Sequence, residues 1–279
     1  MPIHDQGYRR YAGERTSHRH SWRVIARVGI IERLRERRFL ALMLVAWLLF
    51  VVRAVQLYFG TTIARASFLA PSEETFRDFL NQQRVFVFFI TIYAGAGLIA
   101  NDRLANALQL YLSKPITRRD YIAGKLATLA AFLMAVTWVP AITLVALQVL
   151  FSGSLAFVSS HPRLIPAITI TSLLQVALAA TTMVALSSLS RSRRFAAMLY
   201  ALVVIFAGAV QRVLQTATGN PGWVLLSPQN TLLVVTDALF GAAPDSDIPA
   251  AIALLAVTAL IATCVVVLER RVRAVDVVA

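Results

Sequence analysis

The sequence is poor in the residues from which metal and redox sites are built. Cys264 is the single cysteine among 279 residues, which excludes an intrachain disulfide. Of the four histidines, only His18 and His20 lie close together, and no cysteine or carboxylate completes a ligand set with them. We therefore expect no metal site and no resident cofactor.

Charged residues are also scarce, and long apolar runs take their place. Only 15% of the residues are charged, 58% are hydrophobic, and the mean hydropathy is +0.69, whereas soluble domains are about 45–50% apolar. Six stretches approach or exceed the ~20 apolar residues that a helix needs to cross a bilayer. They are residues 39–59, 85–100, 126–151, 164–189, 195–214 and 248–268. The sequence predicts an all-α integral membrane protein in which residues 39–279 form one domain of six transmembrane helices.

The few charges are distributed unevenly. Lys and Arg number 27 against 14 Asp and Glu, and 21 of the basic residues fall in four places. These are residues 1–38, residues 101–125, the loop 191–194 and the C-terminal tail. Because basic loops stay in the cytoplasm during insertion, we expect both termini and residues 101–125 on that side of a bacterial-type cytoplasmic membrane. The net charge of +13 is thus a topology signal and not a nucleic-acid site.

The basic N-terminal region has two parts. Residues 1–21 are polar, carry four arginines and lack the apolar surface that offsets the entropy of ordering, which predicts a flexible basic tail. In residues 22–38, Trp22, Ile25 and Val28 begin an apolar series at helical spacing, with arginines between its members. This pattern favours an amphipathic helix at the membrane interface. A cytoplasmic extension of the first spanning helix is the alternative.

A polar, helix-patterned segment, residues 101–125, joins the second and third predicted spans. Leu104, Leu108, Tyr111 and Leu112 recur at i, i+4, i+7 and i+8, which places them on one helix face. A chain that only had to turn round would need far fewer residues. We interpret the segment as a docking surface for a soluble partner.

A break follows this apolar face. Pro115 lacks a backbone N–H and disfavours helical geometry at the preceding residue, so the first helix should end near Ser113. Thr117 and Asp120 then fit the capping pattern [ST]-x-x-[DE] ahead of an apolar run. The segment is therefore predicted to be two helices that meet at an elbow.

Helix starts are also predicted in two outer loops. Ser72 is placed to cap a short helix that leads into the second span. In the last outer connection, residues 215–247, Ser227 can cap an apolar helix whose first residue is Pro228. That helix is too short to span and is predicted to dip into the outer leaflet, as a re-entrant segment.

Four polar residues inside the predicted spans are candidates for a translocation pathway. Arg53 lies about 21 Å along the first span at 1.5 Å per residue, where an ionisable group suggests function, although snorkelling to the headgroups also explains it. Gln148, Gln175 and Gln211 either line a pathway or hydrogen-bond across helices. Both interpretations of the glutamines stay open at this point.

The order of these elements resembles that of a known family. Residues 112–125 read LSKPITRRDYIAGK and follow a basic interfacial helix, one span, an outer loop and a second span. This arrangement, together with the Ser-Arg-Ser-Arg-Arg turn at 190–194, resembles the permeases of ABC-2 type transporters, the type V exporter architecture. The resemblance covers nearly the whole chain. Family members commonly have a glutamate soon after the second span, where this chain has Asn101 and Asp102.

The resemblance implies that ATP binding and substrate export are carried out by different subunits. A separate cytoplasmic ABC ATPase would bind ATP and push on the elbow, and the permease would export its substrate with a second copy or a paralogue. The coupling residues that it implies are Asp102, Leu104, Leu108, Tyr111, Leu112, Pro115, Thr117, Arg118, Arg119 and Asp120. The sequence itself has no G-x-x-x-x-G-K-[ST] motif, so we expect the chain not to be an enzyme.

Two other functions compete with this one. A stand-alone ion-coupled carrier or channel would require ionisable groups in mid-membrane and often repeated, broken helices; apart from Arg53 the predicted spans offer almost none. A membrane enzyme would require clustered histidine, acid or cysteine side chains near one face of the bilayer. The outer acids lack an evident partner for such chemistry.

Overall fold

The computed structural model describes residues 21–62, 71–105, 116–243 and 247–272, and these residues contain helices but no β-strand. Six of the described helical stretches are long and apolar enough to cross a membrane. They are Arg37–Thr62, Glu73–Leu104, Arg118–Ser152, Leu164–Leu189, Arg193–Thr218 and Ala250–Arg271, and we number them as the first to sixth spans. The predicted all-α fold with six spans is thus confirmed.

The second span begins at Glu73, well before the predicted residue 85. Its first part is amphipathic: Phe76, Phe79 and Leu80 are fully buried while polar side chains cover the other face. An apolar-run criterion overlooks such a stretch because only one face of the helix is apolar. Ser72 precedes the helix as predicted, and its backbone N–H donates to the Thr75 hydroxyl at 3.3 Å.

The third span begins at Arg118 and is interrupted at Thr137. The cause is Pro140, which cannot donate to the carbonyl one turn earlier and whose ring clashes with that turn. At the break, the Thr137 hydroxyl and its backbone N–H both donate to the Leu133 carbonyl, at 2.8 and 3.0 Å. The span therefore consists of two helices, Arg118–Val136 and Trp138–Ser152.

The N-terminal helix, Ser21–Leu34, ends two residues before the first span begins. It packs against the first part of the third span, where glycine permits close approach. A Cβ added at Gly124 would lie 2.7 Å from the Ile25 Cβ, and one at Gly29 would lie 2.8 Å from the Thr128 hydroxyl. The predicted helix 22–38 is thus shorter and separate from the first span. Its position at a membrane surface stays a prediction.

A half-length helix, Pro228–Leu239, follows the fifth span. The fifth span ends at Thr218, Gly219 takes a left-handed φ of 66°, and a short 3₁₀ helix, Pro221–Leu226, leads on. The Ser227 side chain accepts from the Asn230 backbone N–H, which confirms the predicted cap. At about 18 Å, this half-length helix is too short to cross a bilayer, and the fourth and sixth spans bury one side of it.

Buried side chains form two main clusters along the bundle. One contains Phe39, Tyr121 and Leu133, and the other contains Leu57 and Phe79. Half or more of the apolar stretch is buried in the second, third and fourth spans, but less than a quarter in the first, fifth and sixth. The latter three spans therefore present most of their apolar surface outward.

Candidate functional site

The described parts of the basic segments meet at one end of the bundle, which we call the basic end. It comprises the N-terminal helix, residues 101–105 and 116–125, the turn at 190–194 and the last turn of the sixth span. Arg119 Nε lies 3.7 Å from Glu269 Oε1, so the third and sixth spans meet here. The predicted grouping of these segments therefore agrees with their contacts, while the cytoplasmic side stays a prediction.

A carboxylate joins the end of the second span to the start of the third. The Tyr121 hydroxyl donates to Asp102 Oδ2 at 2.6 Å, and Lys125 Nζ lies 2.7 Å from the same oxygen. The Lys125 ammonium also lies 5.4 Å from the centre of the Tyr121 ring. Since the Lys125 and Asp102 side chains are only 13% and 18% exposed, this ion pair is screened little by solvent.

An open space borders the ion pair on one side. A cavity of about 430 Å³ lies between the N-terminal helix and the ends of the second and third spans. Asp102 and Lys125 line it together with Val28, Gly29 and Leu98. The two charged groups are thus held at the edge of the packed core and not within it.

The end of the second span is also bonded to the fourth span. The Ser187 hydroxyl accepts from the Ile99 and Ala100 backbone N–H groups at 3.1 and 3.0 Å and donates to the Ala96 carbonyl at 2.9 Å. These backbone groups belong to the turn before the last short helix of the span, where the regular hydrogen-bond ladder is broken. Nearby, Arg103 Nη1 donates to the Ser188 carbonyl. Side chains thus replace the missing helical bonds.

A third set of contacts involves Tyr93, which lies in a π-helical turn, Thr91–Gly95. Such a wide turn alters the helical hydrogen-bond ladder, and Arg193 Nη2 donates to the Tyr93 carbonyl at 2.9 Å. The Arg193 guanidinium also lies 5.3 Å from the centre of the Tyr93 ring. The start of the fifth span is therefore bonded to the second.

Glu36, between the N-terminal helix and the first span, completes this network. Arg33 Nη1 donates to Glu36 Oε1 at 2.5 Å, and the Tyr93 side chain also hydrogen-bonds to the carboxylate. Burial alone raises the pKa of Glu36, but these hydrogen bonds and the charges of Arg33 and Arg193 outweigh it and hold the pKa below its ordinary value. The carboxylate is therefore favoured in its charged form.

The predicted elbow is described only in part. Thr117 Oγ1 accepts from the Asp120 backbone N–H at 3.1 Å, and Thr117 N donates back to Asp120 Oδ2 at 3.4 Å, which confirms the capping box. Leu104 lies in the last turn of the second span and is 71% exposed, and Arg118 and Arg119 are exposed. Four predicted coupling residues lie outside the described residues, namely Leu108, Tyr111, Leu112 and Pro115.

The four translocation candidates are not brought together. Within the described residues, no hydrogen bond joins any two of them. Arg53 Nη1 donates to Gln56 on its own helix at 2.7 Å, an arrangement that also suits snorkelling. Gln211 accepts from Asn230 at 2.6 Å and connects the fifth span to the half-length helix. Gln148 and Gln175 are 2% and 5% exposed, and each has an enclosed amide atom that finds no hydrogen-bond partner among the described residues.

Several residues that join the helices were missed by sequence reasoning. Tyr121 and Lys125 stand one helical turn apart just after the Thr117 cap, and that spacing was the available signal. Arg77 pairs with Asp237 at 3.5 Å, and Arg84 reaches Gln229 on the same half-length helix. Here the signal was two arginines seven residues apart, on one helix face.

Comparison with known proteins agrees with this architecture. A family model described as "ABC-2 family transporter protein" matches residues 23–271, which include all six spans and the described basic end. No individual curated protein matches the chain. The family forms the membrane component of transporters and is not itself catalytic. The match covers most of the sequence, and the chain belongs to the ABC-2 family of transporter proteins.

Proposed function

We propose that the chain is the permease subunit of an ATP-driven exporter, and that a separate cytoplasmic ABC ATPase docks at the basic end and binds the ATP. One observation carries this proposal beyond the family match: Asp102 joins the two ends of the segment predicted to be the docking elbow. A loop that served only to reverse the chain would not need a largely buried ion pair across its base. The pair joins the described ends of the segment, so that they move together.

The contacts at the basic end connect the ends of the segment to several spans of the bundle. A force on the segment acts on the second and third spans together, because Asp102 bonds to Tyr121 and Lys125. Ser187 and Arg103 connect the same region to the fourth span. Packed helices with such bonds move as rigid bodies and do not deform continuously. The proposed ATPase therefore drives several spans at once.

The exposed side chains of the basic end suit a protein partner. Leu104 is a large apolar residue with 71% exposure beside the charged groups that end the second span. Arg119 and Glu269 are 87% and 52% exposed, so their ion pair contributes little and leaves both groups accessible. An apolar centre with a charged rim is typical of a docking surface. We infer that Leu104, Arg118 and Arg119 contact the ATPase.

A second permease copy or paralogue is the other proposed partner. The first, fifth and sixth spans present mostly outward-facing apolar surface, which either lipid or another chain can cover. Export through a path between two copies would place Arg53 of the first span and Gln211 of the fifth near that boundary. A bacterial-type cytoplasmic membrane is the compartment that we propose for this scheme.

Copurification tests the proposal directly. A tagged chain extracted in mild detergent should retain an ATPase subunit, identified by mass spectrometry from its phosphate-binding loop and by nucleotide hydrolysis. Leu104→Glu, and Leu108→Glu with Tyr111→Glu, should reduce retention by about tenfold or more, since truncated interface anchors commonly cost 2 kcal/mol or more. Leu155→Glu is the control, because Leu155 is 66% exposed but lies away from the basic end.

The same preparation separates the proposal from a stand-alone carrier. If no ATPase is retained by the unaltered chain, or if retention is equal in all variants, docking at the basic end is refuted. Transport in sealed vesicles that needs an ion gradient, and persists without ATP, would favour an ion-coupled carrier or channel instead.

A further inference from the structure

A small cavity lies among the second, fourth and fifth spans and the half-length helix, away from the basic end. Its polar lining comes from Arg84, Gln175, Thr182, Tyr200 and Gln229, and valine, leucine, alanine and proline side chains form the rest. Its volume of about 30 Å³ holds one or two waters, or one group of similar size. The cavity is therefore large enough for one small polar group.

The guanidinium of Arg84 is the main charge in this cavity, and the protein satisfies it poorly. Its one hydrogen bond within the described residues goes from Nη2 to Gln229 Oε1, at a long 3.4 Å. The acid whose charge acts on it, Asp237, also forms an ion pair with Arg77 at 3.5 Å. A guanidinium has five N–H groups, and a cation at membrane depth is costly unless it is paired. Arg84, which lines the cavity, therefore has N–H donors that no described residue accepts.

Gln175 gives an independent sign of a missing ligand. Its side chain lines the cavity and is 5% exposed, and its enclosed Nε2 has no hydrogen-bond partner in the described part of the chain. An enclosed amide costs free energy as long as neither water nor a ligand accepts its hydrogen bond. Gln175 and Arg84 thus line the same small volume, and both side chains carry N–H donors, which suits an oxyanion and rejects a cation.

The part of the fifth span that lines the cavity indicates what kind of molecule bears the oxyanion. Val203 and Val204 line the cavity from a π-helical turn, Leu202–Phe206, a local structure frequent at functional sites. Their neighbours Leu202 and Phe206 are 54% and 59% exposed. A ligand with its charged group in the cavity therefore has an apolar surface immediately beside it, along the outward face of the fifth span.

We propose that this cavity binds the anionic oxygens of the headgroup, a carboxylate or a phosphodiester, of an amphiphilic molecule. Arg84 is its charge partner, Gln175 donates a hydrogen bond, and the apolar body of the ligand lies along the fifth span. The site is distinct from the proposed ATPase surface. Binding here is measurable on the permease alone and does not depend on whether an ATPase docks.

The test uses the full chain, purified in a non-ionic detergent, and matched probes that share a twelve-carbon tail. Dodecanoate, dodecanol and dodecyltrimethylammonium are titrated by isothermal calorimetry, with acetate as the tail-free anion. Dodecanoate should bind at least about tenfold more tightly than the other three, the effect of a charge-assisted hydrogen bond in a dry site. Competition by phosphatidylglycerol but not phosphatidylcholine in nanodiscs would identify a membrane lipid as the source. If neither lipid displaces dodecanoate, the natural ligand is a free amphiphile and not a membrane lipid.

Variants test whether Arg84 and Gln175 cause the preference for an anionic headgroup. Arg84→Gln should remove the discrimination between dodecanoate and dodecanol, Arg84→Lys should keep part of it, and Gln175→Leu should weaken dodecanoate selectively. Arg212→Gln is the matched control, since it removes an exposed cation from the fifth span outside the cavity. Equal binding of dodecanoate and dodecanol to the unaltered chain overturns the proposal. So does discrimination that survives in Arg84→Gln. If Arg84→Gln does not fold, the dodecanoate binding of Arg84→Lys and Gln175→Leu tests the proposal instead.

Discussion

Lys125 Nζ on the third span lies 2.7 Å from Asp102 Oδ2 on the second, with 13% and 18% of the two side chains exposed. The pair closes the base of the connection between these spans and includes the Tyr121 hydroxyl on the same oxygen. Its burial makes each partner dependent on the other, because a lone charge in this position would lose solvation without compensation. The first prediction follows from that dependence.

Replacing Asp102 by Asn should destabilise the protein by about 2 kcal/mol. The value lies between the ~1 kcal/mol of an exposed ion pair and the about 3–5 kcal/mol lost when one partner of a fully buried pair is removed. Thermal unfolding in detergent, followed by circular dichroism, measures the change. Asp102→Glu should recover most of the loss, since a carboxylate is restored.

A double-mutant cycle checks the cause of that loss. Lys125→Met alone removes the other partner, and Asp102→Asn with Lys125→Met leaves neither charge. The double variant should be less destabilised than the sum of the two single variants, by 0.5 kcal/mol or more, as expected of residues in contact. Additive effects would show that the pair contributes nothing of its own.

Gly124 supports a prediction about the N-terminal helix. A Cβ there would lie 2.7 Å from the Ile25 Cβ and 3.0 Å from the Trp22 carbonyl oxygen. Gly124→Val should therefore displace the N-terminal helix and lower the Tm by several degrees, because overpacking costs about 1–3 kcal/mol. Even Gly124→Ala should destabilise, although alanine has the higher helix propensity.

The neighbouring residue serves as the control for this effect. Ala123 is exposed on the same helix, so Ala123→Val changes local propensity without entering the helix contact. A Tm that falls equally in Ala123→Val and Gly124→Val would contradict the packing argument. An accessible protease site in the N-terminal helix, found only in the Gly124 variants, would locate the displacement.

The lowered pKa of Glu36 predicts a pH dependence. A carboxyl group whose pKa is depressed in the folded state contributes stability above its unfolded pKa and loses that contribution as the pH falls through the folded value. The Tm difference between the unaltered chain and Glu36→Gln should therefore be constant near neutral pH and shrink below the ordinary value of 4.5. Glu32→Gln, which removes an exposed acid from the preceding N-terminal helix, is the matched control. A difference that grows on acidification would refute the assignment.

How much of this structure the sequence predicts depends on how far apart in the chain the interacting residues lie. Long apolar runs and local caps such as Thr117 with Asp120 act within one segment, so both were recognisable. The bonds of Asp102 to Tyr121 and Lys125 cross nineteen or more positions, and nothing in local periodicity specifies them. Likewise the break at Thr137 needed attention to Pro140, which a hydropathy average conceals. The Arg84 cavity forms only when three spans and the half-length helix meet.

Ser187 supports the last prediction, because its hydroxyl serves three backbone groups of another helix. It accepts from the Ile99 and Ala100 N–H groups and donates to the Ala96 carbonyl. Ser187→Ala leaves two buried N–H groups without a partner, so a loss of about 1–3 kcal/mol is expected. Thermal unfolding of the purified variant measures that loss.

Ser190→Ala is the matched control for Ser187→Ala. Ser190 is as buried, but its hydroxyl donates to the Leu186 carbonyl within its own helix, so its removal leaves no donor stranded on a neighbouring span. Ser190→Ala should cost well under half of the loss in Ser187→Ala. Hydrogen exchange separates the two further, since only Ser187→Ala should accelerate exchange at Ile99 and Ala100. If both variants lose the same stability with unchanged exchange there, the bonds of the Ser187 hydroxyl do not hold the second and fourth spans together.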